Sequence, residues 1–160
     1  MHFPKESVTL ERLFMKILTI NKRASHDYAF LETYEAGIVL SGQEVKSIKN
    51  GSVSIKGAFI TFSDNEPFLA KAHISAYKNA KSTSSYDPER PRKLLLKKRE
   101  IISLLGKKQM QGLTIIPIKI YTAKRGLIKI EIALAKGKKL HDRRKDIAKK
   151  ESDRRIKRLL

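Results

Sequence analysis

The sequence predicts a mainly β fold: a small antiparallel barrel with short appended helices and a basic C-terminal tail. Three observations predict it. Short apolar stretches alternate with turn residues from Tyr28 to Leu134 and never settle into a βαβ order. Two brief helix signals interrupt them. From Lys136 to Leu160 the composition shifts to twelve Lys/Arg against four Asp/Glu. At 160 residues the chain is long enough for one domain with a core.

Residues 1–20 read as an N-terminal extension. Met15 begins Lys-Ile-Leu-Thr-Ile-Asn-Lys-Arg, a natural start, so residues 1–14 are expected to be untranslated. The barrel is expected over 21–135. Tyr28–Tyr34 and Ala36–Leu40 are predicted as two short strands around Gly37. Ser41-Gly42-Gln43-Glu44 is a capping box, in which the serine hydroxyl accepts from the N3 amide and Glu44 reaches back to the cap amide. It predicts a helix over 42–49, with Val45 and Ile48 on one face and Asn50-Gly51 ending it.

Val53–Phe62 and Phe68–Ile74 flank the turn-rich Ser63-Asp64-Asn65-Glu66-Pro67 and predict a hairpin. Lys78–Arg92, rich in Ser, Asn, Pro and charge, is the longest predicted loop. Lys97–Leu105 predicts a helix closed by Gly106, with Ile101, Ile102, Leu104 and Leu105 as its apolar side. That start leaves at least one of Leu94, Leu95 and Leu96 facing outward. Leu113–Tyr121 and Leu127–Ala135 form the clearest hairpin. Ile128, Ile130, Ile132 and Leu134 alternate with Lys129, Glu131 and Ala133, which gives one buried and one wet face. Pro117 marks an edge or a bulge. About six short strands with two small helices point to a barrel of the oligonucleotide-binding (OB) type.

In the tail, 136–160, Ile147 and Ile156 are half a helical turn out of phase, so no continuous stripe can be buried. Asp146–Lys150, Glu151–Arg155 and Asp153–Lys157 nevertheless support a helix at i,i+4. The tail is therefore expected to be disordered when free and helical on a polyanion.

The net charge of +19 is lopsided: residues 1–80 carry ten Lys/Arg against eight Asp/Glu, and residues 81–160 carry twenty-five against eight. Concentrated charge of this size calls for a polyanion. The basic patches are Asn21, Lys22, Arg23 and His26; Arg90, Arg92 and Lys93 with Lys97, Lys98 and Arg99; Lys124, Arg125 and Lys129; and Lys136, Lys138 and Lys139. Without a helix-turn-helix, zinc finger or basic zipper, RNA is preferred over duplex DNA. There is no cysteine, no paired metal-ligating histidines, no P-loop and no nucleophile elbow. The residues thus predict no enzyme, no metal and no cofactor. No apolar run is long enough to span a bilayer. A cytoplasmic monomer is expected, since copies repel one another.

Four segments carry a resemblance. Asn21–Tyr28, Glu35–Ser47, Asp87–Leu96 and Ala133–Arg144, in that order, resemble the small protein B family, the SsrA-binding proteins. The resemblance implies an OB-type barrel that clasps the tRNA-like domain of transfer-messenger RNA. It implies an adaptor that brings this RNA to stalled ribosomes for trans-translation, its tail entering the decoding centre and the empty mRNA channel. Carried onto matching positions, Asn21, Glu35, Leu95 and Lys129 are where the family contacts the RNA. Lys138 and Lys139 belong to its Gly-Lys-Lys element. His141, Asp142, Arg143 and Arg144 fall where it engages ribosomal RNA. Ser25 departs from a position often basic in the family. The alternative reading is a structural ribosomal protein with an RNA-threading tail.

Overall fold

The computed structural model describes residues 15–80 and 85–159; the expectation for residues 1–14 lies outside them. Nine strands are described: β1 Lys16–Ile20, β2 Tyr28–Ile38, β3 Val53–Ser54, β4 Phe59–Ser63, β5 Glu66–Ala70, β6 His73–Ile74, β7 Arg92–Leu95, β8 Leu113–Thr122 and β9 Ile128–Gly137. The helices are α1 Ala24–Asp27 (a single turn), α2 Gly42–Lys49, α3 Lys98–Lys108 and α4 Leu140–Leu159.

Seven strands form one antiparallel sheet in the order β1-β8-β9-β2-β7-β5-β4, while β3 pairs with β6. The sheet curls until β4 lies against β8, but no ladder joins them. The OB-like barrel is therefore mainly β as predicted, yet not closed by hydrogen bonds.

Several boundaries differ from expectation. The two short strands around Gly37 are one, because Gly37 stays in register with both Leu95 and Lys129. The hairpin turn narrows to Asp64-Asn65, both at positive φ, the two-residue geometry that matches strand twist. Glu66 and Pro67 are already paired in β5. Gly106 does not end α3, which continues to Lys108, and Ile102 lies outside its apolar side at 63% exposure. The capping box on α2 is present, with Ser41 N–H donating to Glu44. β9 runs to Gly137, so the first two residues of the expected tail are strand.

Of the edge position or bulge expected at Pro117, the structure has the bulge, since β8 lies between β1 and β9. The β8–β9 register shifts between Pro117 and Lys119. Ile115 and Ile120, an odd number of residues apart, therefore both reach the main core with Ile130, Ile132 and Leu134. Ile116, Ala133 and Ala135 face the other way, and Ala24 of α1 covers them. The wet face predicted for β9 is thus dry at that end.

Candidate nucleic-acid interface

Two groups of predicted residues lie at opposite ends of the long β2–β9 ladder. Gly37 pairs with Lys129 at one end, and Tyr28 pairs with Gly137 at the other. Strand rise puts the two ends about 30 Å apart.

At the first end Gly37 is flanked by Leu95 on β7 and Lys129 on β9, with Tyr121 of β8 facing Lys129. A Cβ on Gly37 would lie 3.3 Å from the Leu95 Cβ, so the missing side chain lets Leu95 close over the strand. Period-two alternation buries Leu94 and turns Leu95 outward at 55% exposure. Beside it, Glu35 accepts from Lys129 Nζ on one oxygen and from the Tyr121 hydroxyl on the other. Burial pushes the Glu35 carboxyl up, but these two donors outweigh it and hold the group below its usual range. Burial and the Glu35 charge together raise Tyr121, which stays a neutral donor. The result is a fixed carboxylate, an exposed leucine and an ammonium along one groove. A leucine packs on the face of a base or ribose. A carboxylate accepts from a base amino group or a 2′-hydroxyl, and an ammonium meets phosphate. Lys93 faces outward two residues from Leu95 and is paired with Glu66 at 2.7 Å.

At the second end, α1 and the root of α4 interlock. Lys138 donates its N–H to Asp27 O at 2.9 Å and its ammonium to Ser25 O at 2.9 Å and to the Asp146 carboxylate. Arg143 lies 4.0 Å from Asp27, which His26 also contacts at 2.9 Å. Of the residues expected to meet ribosomal RNA, His141, Asp142 and Arg144 are exposed, whereas Arg143 is turned partly toward Asp27. Lys22, Arg23, Lys136 and Lys139 are exposed. Asn21 stands apart from Glu35, at the β1–β8 junction, donating Nδ2 to Pro117 O at 3.2 Å.

Arg92 corrects the prediction. It is 0% exposed, and its guanidinium is used by Glu44, Ala72 O, Arg90 O and Pro88 O. The alternation that turns Leu95 outward turns Arg92 inward, so it has no surface to offer RNA. Sequence reasoning also missed Tyr121. Counted straight from Ile115 it belongs to the main core; the bulge turns it to the opposite face, where it is buried beside the groove with its hydroxyl on Glu35.

Among the described residues no cluster of His, Asp or Glu could hold a metal ion, and no helix is long and apolar enough to cross a membrane. Residues 18–160 match the family described as SmpB protein. The chain is 54% identical over 146 residues to the SsrA-binding protein of Thermosipho melanesiensis, which covers 91% of this chain and 99% of that protein. It is also 54% identical over 143 residues to that of Pseudothermotoga lettingae, covering 89% and 95%. A solved structure described as "tmRNA-SmpB: a journey to the center of the bacterial ribosome" aligns with a TM-score of 0.64 and 49% identity, over 76% of this chain and 85% of that one. With the four motifs in register and the fold shared, this chain belongs to the SmpB protein family.

Proposed function

We propose that the chain is a cytoplasmic RNA-binding adaptor and not an enzyme. Its barrel binds the tRNA-like domain of transfer-messenger RNA, the SsrA RNA. Its tail carries that RNA to stalled ribosomes for trans-translation by occupying the decoding centre and the empty mRNA channel. The observation that carries this reading is the separation of the Glu35–Leu95–Lys129 groove from the α4 root by the length of the β2–β9 ladder. Two RNA surfaces that far apart suit a bridge between two RNAs. Family membership and the relatives' names support the partner assignment. Although Leu140–Leu159 forms the helix α4, we infer that the tail loses this helix when free and regains it on the ribosome. Support for this is that α4 buries no residue and Leu140 is 71% exposed, so the helix has no tertiary contact along most of its length to stabilise it.

Lys129→Ala tests the groove. Binding of the isolated tRNA-like domain, titrated across salt concentration, is expected to weaken and its log–log salt slope to flatten by about 0.7 to 0.9 for one lost phosphate contact. An unchanged slope and affinity would remove the groove from the interface.

Gly37→Val probes the same surface by shape. Its added side chain must displace Leu95, so affinity is expected to fall about tenfold, or roughly 1.4 kcal/mol. Because no charge is removed, the salt slope should hold.

A further inference from the structure

Beyond the groove, the tip of the β8–β9 hairpin carries a basic hollow lined by Lys49, Thr122, Ala123, Lys124, Arg125 and Gly126. Its cations come from two separate elements. Lys49 is the last residue of α2, and Lys124 and Arg125 are in the 3₁₀ turn between the strands. Lys49 Nζ reaches over Gly126, 3.2 Å from where a Cβ on that glycine would stand. Gly126 has φ +71°, and Arg125, a non-glycine residue, is held at φ 60° in the left-handed region. Among the described residues, no acidic side chain lines the hollow. Neither Lys49 nor Arg125 has an ion-pair partner among the described residues. The C-terminal dipole of α2 offsets part of the Lys49 charge but leaves Arg125 uncompensated.

The hollow adjoins the groove. The neighbouring depression shares Ala123 and Lys124 with it, and also contains Glu35, Tyr121, Leu127 and Lys129. A strand of RNA seated on Glu35 and Lys129 therefore has a direct path to the hairpin tip.

We propose that Lys49 and Arg125 form a phosphate site for the backbone of the RNA bound in the groove, one step beyond Lys129. This rests on the groove being the RNA interface. Cations converging from two elements without a carboxylate are matched by a phosphate, which neutralises their repulsion and accepts from both.

The test uses the full chain and the tRNA-like domain, with affinity measured as a function of salt. Arg125→Gly removes the charge and suits the left-handed backbone, so the variant should fold at least as well as the parent. Lys49→Gln removes the other cation. Each is expected to weaken binding about three- to tenfold and to flatten the salt slope by about 0.7 to 0.9. The double variant should lose little more slope than either single one, since both groups serve one phosphate. Lys78→Gln, an exposed cation on another loop, should leave the slope unchanged.

Unchanged binding in both single variants, with Lys129→Ala still weakened, would overturn the tip site and leave the groove standing. Equal flattening by Lys78→Gln would also overturn it, by showing an effect of net charge alone. If Lys129→Ala were silent as well, the groove reading itself would fail.

Discussion

Truncation after Lys139 is expected to leave affinity for the tRNA-like domain within about twofold of the full chain, yet to abolish tagging of stalled nascent chains. The cut removes all of α4 and spares β9, whose ladder to β2 runs through Gly137. A cut before Lys136 would instead take two paired residues and confuse loss of function with loss of fold. It would also take Lys138, whose N–H and ammonium hold α1 at Asp27 and Ser25. Nothing in α4 is buried, so its removal costs the barrel almost no apolar contact. What goes is a dense array of cations, Arg143 and Arg144 among them, which is the part proposed to enter the ribosome. The check pairs a binding titration with a reconstituted tagging assay. Loss of RNA binding in a folded truncated barrel would break the proposed division of labour.

Arg92→Ala is expected to cost about 3–5 kcal/mol of folding stability, the range for stripping one partner from a buried ion pair. Glu44 is fully buried and accepts from Arg90 at 2.6 Å and 2.8 Å and from Arg92 at 3.0 Å. Without Arg92, Glu44 keeps only the half-exposed Arg90 and its cap amide. For a domain of this size the thermal midpoint should fall by roughly 10 °C or more. The pH dependence follows from Glu44. Burial raises its carboxyl, but Arg90, the Ser41 amide and Arg92 together lower it further, to a net depressed value. A depressed folded-state value contributes stability above the ordinary carboxylate range and loses it as pH falls through the folded value. The wild-type chain should therefore lose stability on acidification below about pH 4.5, and Arg92→Ala should lose less there. Calorimetry across that window reads both effects. A variant that stayed as stable as the parent but bound RNA poorly would return Arg92 to the surface role its sequence context suggested.

How far the sequence could be read depended on whether a residue's face follows from local spacing. The cap on α2, the β8–β9 hairpin, the bulge at Pro117 and the outward leucine of β7 all follow from neighbours within a few residues, and each is present. Arg92 went astray because 78–92 reads as a loop; only once β7 is seen to begin at Arg92 does its alternation turn Arg92 inward with Leu94. Tyr121 could not be placed, since one inserted residue at the bulge reverses every side chain after it. Lys49 was hidden for a different reason. It meets the hairpin tip only through tertiary packing between residues some seventy-five positions apart. The end-to-end separation of the groove and the tail root likewise needed the β2–β9 register.

The most direct test of the adaptor is competition at near-physiological salt, with the chain bound to an isolated tRNA-like domain and an ordinary elongator tRNA as competitor. The groove offers Leu95 and a fixed Glu35 carboxylate as well as cations, so the tRNA-like domain should be retained against a large excess of competitor. Equal, weak and steeply salt-dependent binding of both RNAs would contradict the account, leaving a basic surface that recognises phosphate and nothing more.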